Sequence, residues 1–540
     1  MQVSFEIVVV MGKEKAIDVR PLSMEVVGDA DDEIDLDGDQ NGQAKAIKPY
    51  SGPVFELNDE ELSAALNEIK NWKLDAKLDH VERYFFALPQ LKQILTGDVG
   101  YVIGRKGTGK TAIVEHLSRS VKEESGIYVT KLTFKNFPFN ELYSQNNSQY
   151  TAPNQYISIW KLIIYAAVCR QIATAPHVDA YVLQQIEKAF PQTPTDTLGA
   201  VVGKWIAGDF GISVLGNGFN IGNWLTKKKT FSLQEKIENL EAFINKHCPP
   251  GKFFVLFDEL DEDYKDIFEN FSKSNYLELL TSLFKAVQDV RSSFGRTSAK
   301  LYPVIFLRDD IYDLIKDPDR NKWRDLQIDI SWGDLELRRL LAHRLSRAIN
   351  RESYNLDELW YTIVVSGPMR YSGGRKNIRS FDYMKMSTQG RPRDFINYIQ
   401  ECASQALNRS AGSSRPSKIT TDMIKDADKA YSNYLRKEMI DEIHGIIPDI
   451  DKVLAIFSES RKQILSIEEF RTAYLQRYQN GNLKIGDPDM ILRTLFYFSV
   501  IGNVVRVGIH VFKHSRPDAV LNFRERIVVH RGLLKSLQII

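Results

Sequence analysis

The sequence predicts an α/β fold in which a parallel sheet carries a phosphate-binding loop (P-loop) and is followed by a helical lid and a C-terminal winged-helix domain. Three observations lead to this prediction. Residues 104–111 match the pattern G-x-x-x-x-G-K-[ST] between an apolar run and a helical pattern. A second apolar run, 253–257, ends in two carboxylates, which fits a buried parallel strand whose carboxyl end faces a ligand. After residue 449, three helical patterns precede alternating apolar residues, which is the order of a winged helix.

The strongest of these motifs is the loop. Its flanks, Tyr101–Ile103 and Ala112–Leu117, predict a buried strand and a helix, the context that a phosphate-binding loop requires. Glycines let backbone N–H groups curl around an anion, and the helix N-terminus adds partial positive charge. We expect Lys110 to reach the β- and γ-phosphates of a nucleotide and the Thr111 hydroxyl to hold Mg²⁺. The residues expected to bind the nucleotide here are Gly104, Arg105, Lys106, Gly107, Thr108, Gly109, Lys110, Thr111 and Ala112. A glycine-rich turn that carries Lys and Thr by chance is the structural alternative.

Two carboxylates supply the second half of the expected site. Asp258 and Glu259 follow the apolar run Phe253–Phe257, and ligands of parallel sheets bind at the carboxyl ends of strands. Asp258 could bind Mg²⁺ directly or through a water molecule, and Glu259 could activate the attacking water. A strand ended by solvated acids is the alternative. Together with the loop, the pair predicts Mg²⁺-dependent hydrolysis of a nucleoside triphosphate, with ATP as the default.

The spacing of the two motifs predicts an insertion. Lys110 and Asp258 lie 148 residues apart, far more than two strands of one sheet need. We place the insertion at about 134–230 and assign no chemistry to it. The predicted organisation is a partly flexible acidic segment (1–50), lead-in helices (51–97), a P-loop NTPase core (98–332), a helical lid (333–438) and a winged-helix-like domain (439–540).

Composition narrows the class of protein. The chain of 540 residues is 43% hydrophobic and 26% charged with a net charge of +1, so it has no overall basic bias toward nucleic acid. Cys169, Cys248 and Cys402 have no metal-ligand spacing, which favours a reducing compartment. The apolar segment Ile157–Cys169 is too short to cross a bilayer and predicts a buried helix. We therefore expect a cytoplasmic protein with no membrane partner.

A third apolar run supplies a candidate sensor of the γ-phosphate. Leu301–Leu307 ends in Arg308 and Asp309, and in a sheet of this kind that end should lie beside Asp258. Arg308 or Asp309 could then sense the phosphate or orient the water. An Arg–Asp ion pair at the strand end is an equally good interpretation.

Two arginines of the predicted lid are the remaining candidates for contact with the nucleotide. Gly390–Asp394 opens a helix that has proline near its first turn. Arg391 or Arg393 could reach a nucleotide from this lid, because the guanidinium is permanently charged and bidentate. A capping or surface role is the alternative.

Taken in order, the four motifs resemble those of AAA+ and STAND-type P-loop ATPases, namely Walker A, Walker B, sensor 1 and a sensor 2-like arginine. The resemblance covers about residues 80–435. Phe306–Ile311, Trp332 and the Gly-Arg-Pro-Arg-Asp motif are similar to a bacterial group of such ATPases that are predicted to act in anti-phage defence.

The resemblance implies a role for each matched residue. Lys110 and Thr111 match the phosphate and magnesium residues, Asp258 the magnesium acid and Glu259 the catalytic base. Arg308 or Asp309 takes the sensor 1 place, where many AAA+ proteins have Asn or Thr, and Arg391 or Arg393 takes sensor 2. The family's arginine finger comes from a neighbouring subunit, for which Arg338, Arg339 and Arg344 are candidates by location, so the resemblance also implies a homo-oligomer.

The last hundred residues predict helices near 449–459, 466–478 and 487–499, with Gly502 ending the third and a two-stranded wing over Val504–Phe512. Basic residues that could contact DNA phosphates are Arg493, Arg506, Lys513, His514 and Arg516. A winged helix used for protein contact or for sensing the nucleotide state is the alternative.

The sequence therefore predicts a Mg²⁺-dependent ATPase with Lys110, Glu259 and Arg308 as catalytic residues. Its ATP cycle would drive a conformational change or assembly, with anti-phage defence as the implied setting. The alternatives are a non-catalytic ATP-dependent switch and a DNA-binding initiator or loader. The expected partners are ATP, further copies of the chain or a partner protein, and DNA at the C-terminal domain.

Overall fold

The computed structural model describes residues 48–120, 126–134, 154–176, 178–190, 233–261, 272–371, 376–411, 415–481, 483–506 and 508–539. Nearly all of the predicted acidic segment 1–50, and most of the predicted insertion 134–230, lie outside the described residues.

A five-stranded parallel sheet forms the centre of the fold. Its strands are β1 (Tyr101–Gly104), β2 (Ile127–Thr133), β3 (Gly251–Asp258), β4 (Ala299–Arg308) and β5 (Gln327–Ile330), in the order β2-β3-β4-β1-β5. All four neighbouring pairs are parallel, and the register places Gly104 opposite Arg308 and Thr133 opposite Asp258. The carboxyl ends of the three central strands therefore lie together, which confirms the predicted α/β fold.

Helices cover both faces of this sheet. From residue 59 to residue 323 the α-helices of the described residues are α1 (Asp59–Lys70), α2 (Val81–Tyr84), α3 (Gln90–Thr96), α4 (Lys110–Ser120), α5 (Ile157–Thr174), α6 (Ala180–Ala189), α7 (Leu233–His247), α8 (Ser272–Phe294), α9 (Asp309–Leu314) and α10 (Arg320–Trp323), of which α3, α4, α5, α7 and α8 pack on the sheet. Successive side chains of β3 alternate between two cores: Phe253 and Val255 pack with α5, α7 and α8, whereas Phe254 and Leu256 pack with α3 and α4. This burial on both faces explains why β3 is an uninterrupted apolar run.

Helix α5 is the apolar segment that the sequence predicts to be buried. Among the described residues it is the one helix long and apolar enough to cross a membrane, with a mean hydropathy of 1.3, and 67% of it is buried inside the protein. Its Trp160 donates a hydrogen bond to the Leu279 carbonyl, and its Gln171 donates one to the Phe254 carbonyl of β3. These contacts make α5 a core helix of the sheet.

The lid is helical, as predicted, but carries a small hairpin that the sequence analysis missed. Its elements are α11 (Asp334–Ile349), α12 (Leu356–Ile363), β6 (Met369–Tyr371), β7 (Lys376–Ile378), α13 (Ser380–Ser387), α14 (Pro392–Ser410) and α15 (Thr421–Ile443). Pro392 occupies the first turn of α14, where its missing N–H costs nothing. Helix α1 packs against α11 and α14, so it belongs to the core of the lid.

Among the described residues from 450 to 529, the C-terminal elements are three helices and four short strands. They are α16 (Ile450–Ser460), β8 (Ile464–Leu465), α17 (Ile467–Gln479), α18 (Pro488–Tyr497), β9 (Ile501–Arg506), β10 (Ile509–Val511) and β11 (Arg526–Val529). The four strands form one sheet in the order β10-β9-β11-β8, with antiparallel pairs.

The predicted end of the third helix is wrong. Helix α18 ends at Tyr497, and Gly502 lies inside β9. The chain leaves the helix through Ser499, whose φ of 56° is left-handed, while the Val500 amide bonds back to the Leu495 carbonyl. Gly502 is instead required by close packing, since a Cβ there would lie 2.6 Å from the Val511 carbonyl oxygen.

Candidate functional site

The phosphate-binding loop joins β1 to α4 at the carboxyl edge of the sheet. Gly107 and Gly109 have φ of 82° and 94°, which side chains other than glycine rarely adopt, so the loop geometry requires both glycines. The Lys110 Nζ atom donates to the carbonyls of Gly104 and Arg105 at 2.6 and 2.9 Å. Burial lowers the pKa of Lys110, and nearby carboxylates oppose that shift. The cation therefore lies directly over the loop.

Thr111 and Asp258 form a pair of oxygen ligands beside that loop. The Thr111 hydroxyl lies 3.4 Å from Asp258 Oδ1, and the other carboxylate oxygen, Oδ2, is buried without a hydrogen-bond partner among the described residues. Burial, and secondarily the charge of Glu259, raises the pKa of Asp258 to about 6. A buried, unsatisfied carboxylate oxygen next to a hydroxyl fits Mg²⁺, which takes few protein ligands and completes its shell with phosphates and water.

No larger metal cluster competes with this assignment in the described part of the chain, where no group of three or more His, Cys, Asp or Glu could hold an ion.

Glu259 has an unexpected partner. Its backbone φ is 57°, a conformation that costs a non-glycine residue about 1–3 kcal/mol and is frequent at functional sites. Its Oε2 atom lies 2.6 Å from the Nζ atom of Lys77, which is in the loop between α1 and α2. The sequence analysis missed Lys77, because its contact with Glu259 is made across 182 residues and leaves no local pattern.

Arg308 forms an ion pair at the end of β4. Its guanidinium donates to both carboxylate oxygens of Asp310, at 2.9 and 2.6 Å, and lies 3.4 Å from Asp261. Burial would lower the pKa of Arg308, but Asp310 raises it above its ordinary value. The ion-pair interpretation therefore matches the geometry, with Asp310 as the partner instead of Asp309. Arg308 also lines the same cavity as Lys110.

Of the two lid arginines, Arg393 faces the loop. A Cβ on Gly107 would lie 3.4 Å from the Cβ of Arg393, so the start of α14 packs directly on the loop. The guanidinium of Arg393 lies 3.6 Å from Glu438, which also pairs with Lys106 of the loop at 3.1 Å. Lid and loop are thus joined through one shared carboxylate.

Arg391 is buried behind the loop. Only 2% of it is exposed, and it pairs with Asp394 at 3.0 Å and with Glu442 at 2.7 Å. These carboxylates raise the pKa of Arg391 although burial opposes the charge. It donates a long hydrogen bond, at 3.5 Å, to the Lys106 carbonyl of the loop.

A cavity of about 600 Å³ brings these groups together. Its lining combines the loop, Asp258, Glu259 and Arg308 with apolar side chains, which suits a ligand with a charged and a planar part. The apolar lining residues include Phe85, Phe86, Leu88, Trp332, Leu340 and Ile396. Trp332 is fixed there by a hydrogen bond from its indole N–H to the Thr108 carbonyl at 2.9 Å. The sequence analysis missed Phe85 and Phe86, since aromatic residues are more often part of a hydrophobic core than of a binding site.

The three candidates for an arginine finger differ in exposure. Arg344 is 4% exposed, pairs with Asp79 at 2.9 Å and lines the cavity of its own chain, so it is too buried to reach a neighbouring subunit. Arg338 is held by an ion pair with Asp334 at 2.9 Å. Arg339 is exposed on α11.

The basic residues of the C-terminal domain fall into two groups. Arg493, Arg506 and Arg516 are exposed. Lys513 donates to the Ala519 carbonyl at 3.1 Å, and His514 has a buried Nδ1 atom and a pKa lowered by burial. Two of the five expected phosphate contacts are therefore engaged inside the protein.

Comparisons with known proteins match parts of this architecture. Residues 335–440 match the family described as the FunZ-associated C-terminal helical domain, which corresponds to α11–α15. The chain is 20% identical over 466 residues to the transposon gamma-delta 80.3 kDa protein of Escherichia coli K12, covering 81% of this chain and 62% of that protein.

Solved structures with a similar arrangement include proteins of Aeropyrum pernix and Pyrobaculum aerophilum. The ORC1 protein of Aeropyrum pernix in complex with DNA is 12% identical, with 88% of this chain and 96% of that chain covered and a TM-score of 0.35. The ORC2 protein of the same organism, in complexes with ADPNP and ADP, is 11% identical, with coverage of 92% and 96% and a TM-score of 0.36. Cdc6p of Pyrobaculum aerophilum is 13% identical, with coverage of 89% and 97% and a TM-score of 0.30. Likeness at this level supports no inference about function, which depends on the site itself.

Proposed function

We propose that the chain is a Mg²⁺-dependent ATPase. The observation that carries the proposal is the convergence of Lys110, Thr111, Asp258 and Glu259 on one cavity that is also lined by apolar and aromatic side chains. The loop amides and Lys110 would bind the phosphates and stabilise the negative charge of the transition state. Thr111 and Asp258 would hold Mg²⁺, which when bound supplies further neutralisation of the phosphate oxygens.

Glu259 is the proposed general base. A carboxylate that follows the magnesium acid by one residue can accept a proton from water lying next to the γ-phosphate. Arg308 and Arg393 line the same cavity and would contact phosphate oxygens from the sheet and from the lid. Phe86 and Trp332 would pack against the base.

A nucleotide switch that binds ATP without turnover is the second candidate. The observation that favours it is the ion pair between Lys77 and Glu259, because a carboxylate engaged by an ammonium group is a weaker base. In that case ATP would change the arrangement of the lid without being consumed.

Turnover and binding measured together distinguish the two. Steady-state ATP hydrolysis and the Kd of a fluorescent ATP analogue are compared for wild type, Lys110→Ala and Glu259→Gln. A hydrolase requires that Glu259→Gln loses about 100-fold or more in kcat while its Kd stays near that of wild type. A switch requires the same low turnover in wild type and Glu259→Gln.

Assembly and DNA contact are further parts of the proposal. We propose that ATP binding promotes self-association, which gel filtration with and without Mg·ATP tests. Exposed Arg493, Arg506 and Arg516 would give DNA binding that weakens steeply with salt. An ATPase rate that is unchanged by DNA, with no salt-dependent binding, would remove the loader interpretation. The role in anti-phage defence is implied only by the resemblance of the sequence.

A further inference from the structure

A buried hydrogen-bonded connection joins the phosphate-binding loop to the C-terminal domain. We propose that Gln389 is a positioning residue that couples the loop to the turn at Phe498–Ser499, so that nucleotide binding alters the C-terminal domain. The inference rests on the proposed function, since it requires a nucleotide in the loop.

The loop side of the connection is Arg105. Its guanidinium donates to the backbone carbonyl of Gln389 at 3.3 Å and to the side-chain oxygen of the same residue. The backbone carbonyl of Arg105 accepts from Lys110 at 2.9 Å, so Arg105 belongs to the segment that phosphate would rearrange. Because the guanidinium is planar and makes both bonds at once, it fixes Gln389 in orientation as well as in position.

The C-terminal side is the turn between α18 and β9. The side-chain amide nitrogen of Gln389, Nε2, donates to the backbone carbonyls of Phe498 and Ser499, at 3.1 and 3.3 Å. Ser499 holds its left-handed conformation, and its hydroxyl accepts from the backbone amide of His514 at 2.8 Å. A change at Gln389 would therefore reach the strand that starts at Ile501 and the segment around His514.

Gln389 itself has little freedom to absorb movement. It is 2% exposed, and its backbone amide donates to Asp394 at 3.1 Å, which fixes it to the first turn of α14. Both ends of its side-chain amide are used, one by the loop and one by the turn. A buried amide that loses one of these partners is left with an unsatisfied polar group, which is costly, so the two contacts are coupled.

A cavity between the phosphate-binding loop and the C-terminal domain leaves room for these two parts to move relative to each other. This second cavity, of about 770 Å³, lies between the back of the loop and the C-terminal domain, and Arg105, Gln389, Phe498 and His514 line it. Contacts across a cavity can change without displacing a packed core, whereas close-packed interfaces resist small movements. Beside this cavity, the Tyr497 hydroxyl of the C-terminal domain donates a hydrogen bond to Asp313 at 2.9 Å.

The test compares Gln389→Glu with Gln400→Glu. The first variant keeps an acceptor for Arg105 but places a carboxylate against two carbonyls. The second is a matched control, because Gln400, on helix α14, also donates to two backbone carbonyls, those of Lys70 and Trp72. Amide hydrogen exchange over residues 495–515 is measured with and without saturating Mg·ADPNP, together with the Kd of that analogue and the melting temperature of each variant.

We expect wild type and Gln400→Glu to show a nucleotide-dependent change in exchange of about fivefold to tenfold, as one or two hydrogen bonds would give. Gln389→Glu should bind the analogue and show less than about a twofold change. An undiminished change in Gln389→Glu, or no change in wild type that binds the analogue, overturns the coupling. Failure of wild type to bind the analogue overturns the proposed function instead. If Gln389→Glu does not fold, Arg105→Met decides, since it leaves the bonds from Gln389 to the turn intact and should also abolish the change.

Discussion

The buried negative charge of Asp258 lowers the free energy of unfolding, and replacing the carboxylate should show by how much. Its pKa of about 6 in the folded protein, against an ordinary 3.8, means that the folded state disfavours the charged form. The penalty is absent below pH 3.8, grows between 3.8 and 6, and is constant above. At pH 8 the difference corresponds to about 3 kcal/mol, and at pH 5 to roughly half of that. Because Asp258 is 3% exposed, solvent does not screen this penalty.

Asp258→Asn should therefore stabilise the protein without ligand while abolishing its response to Mg·ATP. The variant keeps an oxygen that can accept from Thr111 and loses only the buried charge. We expect its stability advantage over wild type to grow by about 1–2 kcal/mol between pH 5 and pH 8. The change with pH isolates the ionisation of Asp258, because the other contributions of the amide group to the free energy of unfolding do not depend on pH.

The assay is urea unfolding of wild type and variant at pH 5 and pH 8, with amide hydrogen exchange in the central sheet as the probe. A local probe is needed because a chain with several domains need not unfold in one step. Asp518→Asn, in an exposed loop of the C-terminal domain, controls for the change in net charge. A difference that is independent of pH, or an advantage that shrinks toward pH 8, would refute the reasoning. Added Mg·ATP should raise the stability of wild type and leave that of Asp258→Asn unchanged.

Two further substitutions test contacts elsewhere in the fold. Gly532→Ala should destabilise the junction of lid and C-terminal domain by about 1–3 kcal/mol, because its Cβ would lie 2.1 Å from the Ser387 carbonyl oxygen. Gly367→Ala is the matched control, since a Cβ there would have nothing within 4 Å. Equal melting temperatures of the two variants would contradict the packing argument. Lys77→Met should raise kcat several-fold with little change in KM, because it frees the Glu259 carboxylate. The control Lys77→Arg keeps the ion pair and should keep the wild-type rate. A fall in kcat for Lys77→Met would show that the ion pair orients the base for catalysis instead of restraining it.

Elements with a long, strong pattern could be predicted from the sequence. The apolar runs of β3 and β4 and the helices of the lid follow from periodicity and burial, and they have the predicted type. Strands β6, β7 and β8 are two or three residues long and have no period to recognise, so they were missed. The end of α18 was placed at Gly502 on the general preference for glycine, yet Ser499 provides the left-handed residue, because its side chain is bonded to the His514 amide.

In the site, local motifs identified the loop and the two carboxylates, but not their long-range partners. The sequence left Arg308 open between a phosphate sensor and an ion pair, and the structure supplies Asp310, two residues away, as its partner. Lys77 and Gln389 could not be found, because each acts through a contact made across more than a hundred residues. Patterns along a chain report spacing within one element, and such contacts exist only once the fold brings separate elements together.

The most direct test of the central claim is a single-turnover experiment with protein in excess over labelled Mg·ATP, in which the bound nucleotide is identified over time. We predict that wild type converts its bound ATP to ADP, that Glu259→Gln retains ATP, and that Lys110→Ala binds none. Equal conversion by wild type and Glu259→Gln would contradict the assignment of the base. ATP that stays intact in wild type would contradict hydrolysis itself.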